Sequence, residues 1–244
     1  MISTDPVAAL QPLLSGLPLL DWVALLMFFV GWAGYATFAR RRAERKPSIL
    51  ATTNRWRRRW MLQTTRRDNR IVDSAVAQSL AASPSFFAST SILIIGGLLA
   101  SLGATDKASE LVREIPFAVR TTVLVFDLKL VLLTAIFVFA FFRFTWSIRQ
   151  YSFGAIMVGA APDARLFVDE AQRTLFADRA GRVMGLAAEA FNDGLRAYYM
   201  AFAAVGWFFS PWVFIAGTAM VIRVLYRREF HSEVLFALRE GLEP

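Results

Sequence analysis

The feature that most constrains this chain is the length of its apolar runs. Four stretches, about 17–39, 86–104, 122–142 and 198–222, are mostly apolar over about 20 residues or more each. That is the length a helix needs to cross a hydrocarbon core of roughly 30 Å. The composition agrees, since 56% of the 244 residues are hydrophobic, with 22 Phe and 7 Trp, whereas soluble domains run at roughly 45–50% apolar. The expected class is all-α: a polytopic membrane protein with four transmembrane helices, forming a single membrane domain over residues 1–244.

Charge sets the expected orientation. A secretory signal would carry basic residues before its apolar run and a small-residue cleavage site after it. Here nothing basic precedes Arg40, and the first run ends in Arg40-Arg41-Arg42, which suits an uncleaved anchor with its N-terminus outside. Lys and Arg number 12 in residues 40–85, 3 in 105–121, 7 in 143–197 and 4 in 223–244. Cytoplasmic loops collect these residues, so four crossings with the N-terminus outside leave 19 inside and 7 outside. One piece fits poorly, because this arrangement puts Arg223, Arg227, Arg228 and Arg239 outside. A cytoplasmic tail would require the last apolar run to turn back at Ser210-Pro211. Irregular backbone is tolerated at that depth only where protein buries it or it lines a cavity. A mildly kinked crossing helix is the simpler expectation.

Two cytoplasmic segments, about 54–82 and 164–197, have helical amphipathic patterns. In the first, Trp56 and Trp60 lie four apart, and Ile71, Ala75 and Ser79 continue their stripe. Arginines cover much of the remaining surface. A helix with tryptophan on its apolar side and arginine elsewhere suits the headgroup boundary, which makes Arg57, Arg58, Arg59, Trp56 and Trp60 the candidate lipid-headgroup contacts. In the second segment Val183, Leu186, Ala187, Ala190, Phe191 and Leu195 lead through Tyr198 into the last apolar run. One long helix is therefore expected to leave the membrane. The tail, Val224–Leu238, reads as a third amphipathic helix. In a soluble protein a net charge of +8 and a pI of about 10.5 would suggest nucleic acid. Here the arginines flank the spans, so anionic lipid headgroups are the expected partners and nucleic acid is not.

Residues 123–133, VLVFDLKLVLL, place Asp127 and Lys129 inside the third run. A charge at the bilayer centre costs about 2.5–3.5 kcal/mol, less toward the interface, enough to disfavour an idle charge facing lipid. Residues two apart on a helix point to nearly opposite sides and do not pair closely. Each charge therefore needs another partner or a route to water, and Lys129 is close enough to the outer end of its span for its stem to reach partway out. Two explanations stand: bonding to a neighbouring helix or subunit, or a polar face lining a pore, proton route or cavity. The second run opens SPSFFASTSILIIGG. Its small and hydroxylated residues suit close helix packing and would also line an ion path. Ser89, Ser91, Asp127 and Lys129 form the candidate intramembrane polar site.

Other motifs have plainer explanations. FAFFRFTWSIRQY, residues 139–151, reads as an aromatic belt with arginines reaching the inner interface. Glu189, Asp193 and Arg196 share a helical face and read as a salt-bridged surface, while His231 reads as polar surface. The absence of cysteine excludes disulfides and thiolate chemistry, and a single histidine argues against multi-histidine metal sites. No phosphate loop, dinucleotide fingerprint or nucleophile elbow is present. No catalytic residue, metal or cofactor is assigned; a membrane enzyme acting on lipid, supported only by isolated carboxylates, is the least favoured of the function classes.

Taken together, SFFASTSILIIGG, the DLK that opens the third span, FAFFRFTWSIRQY and RREFHSE resemble bacterial membrane proteins grouped as domain of unknown function 599, over roughly residues 18–235. The resemblance implies a multi-pass protein of the bacterial inner membrane and carries over no functional residues. Packing surfaces beyond those a four-helix monomer needs point to a homo-oligomer or a subunit of a larger membrane complex. An accessory or scaffolding subunit is the expected function. An oligomeric ion channel or small transporter is the alternative.

Overall fold

The computed structural model describes residues 17–43, 47–105 and 122–240. The N-terminal residues before 17 and most of the loop expected outside, 106–121, lie outside the described residues. Those described form seven α-helices: α1 (Leu19–Ala43), α2 (Ile49–Thr64), α3 (Ile71–Gly103), α4 (Val123–Ala160), α5 (Glu170–Val205), α6 (Pro211–Phe230) and α7 (Glu233–Glu240). No strand occurs among them. Three segments, Leu19–Ala39 of α1, all of α3 and all of α4, are long and apolar enough to cross a membrane.

Local chemistry sets several helix ends. Ser48 caps α2, its hydroxyl accepting from the Ala51 N–H at 3.1 Å, which satisfies one of the donors a helix start leaves open. The Asn69 side chain accepts from the Ile71 N–H at 2.9 Å, starting α3 after a break at 65–70. That break corrects the expectation of one continuous stripe over 54–82. Ile71 is 74% exposed and Ala75 and Ser79 are exposed too, while Asp73 and Ala77 face inward. The long helix expected to run from the cytoplasmic segment into the last apolar run is present as α5, 36 residues long.

The last apolar run is not one kinked helix. The chain leaves α5 at Val205, passes through a 3₁₀ turn at Gly206–Phe208 and restarts as α6 at Pro211. Pro211 occupies the first helical position, where its missing N–H costs nothing, and the Ser210 hydroxyl accepts from the Val213 N–H at 3.1 Å. Serine followed by proline thus acts as a helix start, where a simple kink was expected. The two arms fold back on one another as an antiparallel hairpin. A Cβ placed on Gly206 would come within 3.2 Å of the Val213 carbonyl oxygen, and one on Gly217 within 3.5 Å of the Ala203 Cα. Trp207 and Phe214 stack across the turn with centroids 5.5 Å apart. The tail also departs from expectation. In place of one helix over Val224–Leu238, α6 runs to Phe230 and a separate α7 starts after Ser232, whose hydroxyl accepts from the Leu235 N–H at 3.3 Å.

The chain divides into two compact units. The first holds the described parts of residues 1–38, 92–138 and 197–224. In it α1 and α6 run in the same direction: Phe28 meets Phe214 at 5.0 Å, and further along Gly31 faces Thr218 and Ile222. Phe137 of α4 packs edge-on to Tyr198 of α5 at 5.1 Å.

The second unit holds residues 39–91, 139–196 and the described part of 225–244. Here α2 lies almost directly on the backbone of α5, since a Cβ on Gly181 would sit 2.9 Å from the Arg58 Cα. Met61, Tyr151, Val158, Ala180 and Met184 form its core. The Ser147 hydroxyl donates to the Ala187 carbonyl at 2.7 Å, joining α4 to α5. The tail belongs to this unit, with the Trp56 indole N–H donating to the Leu238 carbonyl at 3.0 Å and the Leu50 N–H to the Glu229 carboxylate at 3.2 Å.

Candidate functional site: a buried acid, base and indole at the hairpin turn

The first unit gathers three polar side chains that an apolar interior would ordinarily reject. Asp21 lies in the first turn of α1, where a carboxylate complements the helix dipole, and is 7% exposed. Lys129, in the second turn of α4, is 3% exposed, and Trp207, in the hairpin turn, is 0% exposed. The Trp207 indole N–H donates to Asp21 Oδ1 at 2.5 Å. Lys129 Nζ stands 5.5 Å from the centroid of the Trp207 ring and 5.6 Å from that of Phe208, within reach of their π faces. Asp21 is the carboxylate whose charge acts on Lys129. The indole therefore serves both partners, its edge donating to the acid and its face receiving the cation.

An unpaired ion in a low-dielectric interior is costly, and removing one member of a buried pair exposes that cost in the other. The arrangement consequently fixes the hairpin turn against the beginnings of α1 and α4. It also places a carboxylate and an amine, each able to hold a proton, beside irregular backbone.

The other charge near the start of α4 has a different partner, as spacing by two residues requires. Asp127 is half-buried, and its Oδ1 accepts from the Thr105 hydroxyl at 2.7 Å, linking it to the residues that follow α3. The remaining members of the expected polar site lie in the second unit. Ser89 is exposed and Ser91 buried, with the Ser91 hydroxyl donating to the Phe87 carbonyl of its own helix at 2.7 Å. Sequence reasoning missed Asp21 and Trp207. A usable signal existed for Asp21, an isolated charge within the first apolar run. Trp207, in a run rich in aromatics, gave none.

The residues expected at lipid headgroups serve several internal contacts in the second unit. Besides the Trp56 contact with the tail, the Trp60 indole donates to Asp73 Oδ1 at 2.7 Å. Asp73, fully buried, also accepts from the Thr64 hydroxyl at 3.1 Å and from Arg67 at 2.8 Å. Arg57 donates to Thr53 and Asn54 at 3.0 and 2.8 Å. Burial lowers its pKa, with Tyr151 and Glu189 acting in the opposite direction. Arg58 and Arg59 are exposed, the former 4.0 Å from Asp178 and the latter over the Trp56 ring at 5.5 Å.

The face read as a salt-bridged surface does form ion pairs, more deeply than expected. Asp193 accepts from Arg143 of α4 at 2.5 Å and from Arg196 at 3.0 Å, with all three side chains less than one-third exposed. Among the described residues no cluster of three or more His, Cys, Asp or Glu could hold a metal ion.

No curated protein and no solved structure matches the chain. One family model does match, that described as "Protein of unknown function, DUF599", over residues 23–234. That range takes in Asp127, Lys129, Trp207 and the whole hairpin and leaves out Asp21. The chain belongs to the DUF599 family.

Proposed function

We propose that this protein is an accessory subunit of a membrane assembly in a bacterial inner membrane. It crosses the bilayer three times and returns its fourth apolar run to the starting side as a re-entrant hairpin. Two observations support this topology: the hairpin's arms are antiparallel, and the tail bonds to the arginine-rich α2. With the N-terminus outside, 23 of the 26 Lys and Arg residues in the segments flanking the apolar runs then lie inside. This fits the charge bias of cytoplasmic loops better than four crossings do.

The observation that carries the accessory role is the contrast between satisfied charges and an open helix face. Asp21, Lys129 and Asp127 are engaged within the first unit. Along α3, by contrast, Leu93 is 77% exposed, and a Cβ on Gly96 or Gly97 would meet nothing within 4 Å. Membrane helices approach closely where glycine and serine leave room, so this face suits another transmembrane helix.

The test is the native mass of the protein extracted from its own membranes, with co-purifying chains identified. Stoichiometric recovery with a different membrane protein is the expected outcome. A protein recovered alone as a monomer would remove the proposal.

Transport is the alternative, and the broken backbone at the hairpin turn favours it. Discontinuous helices often frame substrate and ion sites, and here a buried aspartate of α1 and a buried lysine of α4 meet Trp207 of the break. A closed ring of identical subunits, followed by ion flux that Lys129→Gln alters, would replace the accessory role with a channel.

A further inference from the structure

The second unit contains a small basic cavity that neither the proposed function nor the family match assigns. It has a volume of about 150 Å³ and is lined from three separate parts of the chain. Arg42 and Pro47 come from the end of α1 and the residue before the Ser48 cap, His231 and Ser232 from the α6–α7 break, and Arg239 from α7. Phe230, Leu235 and Phe236 supply an apolar wall. From the sum of these features we infer that the cavity binds the phosphate headgroup of an anionic phospholipid.

Position and chemistry both support this ligand. Ala39 ends the first candidate span, and Arg42 lies three residues further along the same helix, about 4.5 Å by helical rise. A cavity there sits where a lipid phosphate would be. Arg42 stacks over the Tyr226 and Phe230 rings at 5.7 and 5.6 Å, which holds at the cavity wall a guanidinium, the group best suited to recognise phosphate. The surroundings are biased toward positive charge, since Arg227 and Arg228 occupy the last turn of α6. Of the nearby described acids, Glu229 accepts from the Leu50 N–H, Glu233 lies in the first turn of α7, and Glu240, which follows Arg239, is exposed.

The volume is roughly that of five waters in the liquid, enough for a phosphate and its adjoining carbons. The apolar wall suits the carbons that follow a lipid phosphate, which a free phosphate ion lacks.

The experiment is native mass spectrometry of the full-length protein released from nanodiscs of phosphatidylcholine mixed with phosphatidylglycerol. The wild type is expected to retain phosphatidylglycerol selectively. Arg239→Gln and Arg42→Gln should each lower the retained share about fivefold, the effect of removing one basic contact at an anionic membrane surface. Arg179→Gln, an exposed arginine elsewhere, should leave it unchanged. Because Arg42 stacks on two rings and its loss could disturb folding, the exposed Arg239 is the deciding position, checked by thermal melting. Equal phosphatidylglycerol retention by Arg239→Gln and wild type overturns the site. Displacement of the lipid by inorganic phosphate at millimolar concentration overturns the lipid assignment in favour of a free phosphate ligand.

Discussion

Trp207 and Asp21 are 186 positions apart in the chain and 2.5 Å apart in space, joined by an indole-to-carboxylate hydrogen bond. This bond ties the hairpin turn to the first turn of α1, and Lys129 lies over the same indole. Removing one charge should therefore cost more than removing both. Asp21→Asn and Lys129→Met are each expected to lower stability by about 3 kcal/mol, toward the lower end for breaking a buried pair. The double variant should cost clearly less than the sum of the two. Thermal unfolding in detergent across this double-mutant cycle provides the check, and strict additivity would show that the two charges do not communicate.

Asp127 is held by Thr105, outside the lysine cluster, so its loss should be milder. Asp127→Asn keeps an acceptor for the Thr105 hydroxyl and should cost about 1 kcal/mol, the scale of one net hydrogen bond. That corresponds to a melting shift of roughly 2–4 °C at this chain length. The same variant in liposomes should leave any ion flux as it was. A change in selectivity with unaltered stability would favour the transport alternative instead.

Two glycines should respond in opposite ways. At Gly181 a side chain would collide with the Arg58 backbone, which cannot yield as a flexible side chain can. Gly181→Leu is expected to destabilise the second unit by about 1–3 kcal/mol, the usual range for overpacking. At Gly96 there is open space, so Gly96→Leu should leave the melting temperature of the isolated protein unchanged. It should, however, reduce recovery of the partner chain in co-purification. Normal partner recovery from Gly96→Leu would mean that α3 is not the docking face.

The chain has no native cysteine, so single cysteines report sidedness cleanly. Arg59→Cys in α2 and Arg239→Cys in α7 should both resist a membrane-impermeant maleimide in intact cells and both react after lysis. Labelling of position 239 from outside, with position 59 protected, would restore four crossings and make the fourth run a true span.

The length of the apolar runs and the 3.6-residue periodicity by themselves determined the all-α class, the three helices long and apolar enough to cross a membrane, and the continuous α5. These depend on local composition, which the bilayer and the helix read directly. The hairpin was beyond them. Twenty-five apolar residues look the same whether the helix continues or reverses, and Ser210-Pro211 serves equally as a kink or as a new start. Tertiary contact decided between them, through the close approach of Gly206 to Val213 and through an indole that shields Lys129 while bonding Asp21. The stripe of Trp56 and Trp60 was legible as a helical face, but what that face meets was not. Both indole N–H groups find partners in the fold, Leu238 and Asp73, and the partner of Trp56 lies 182 residues away. A side chain's pattern along one helix records which way it points. Only the folded chain fixes what it touches, because the partners arrive from distant segments.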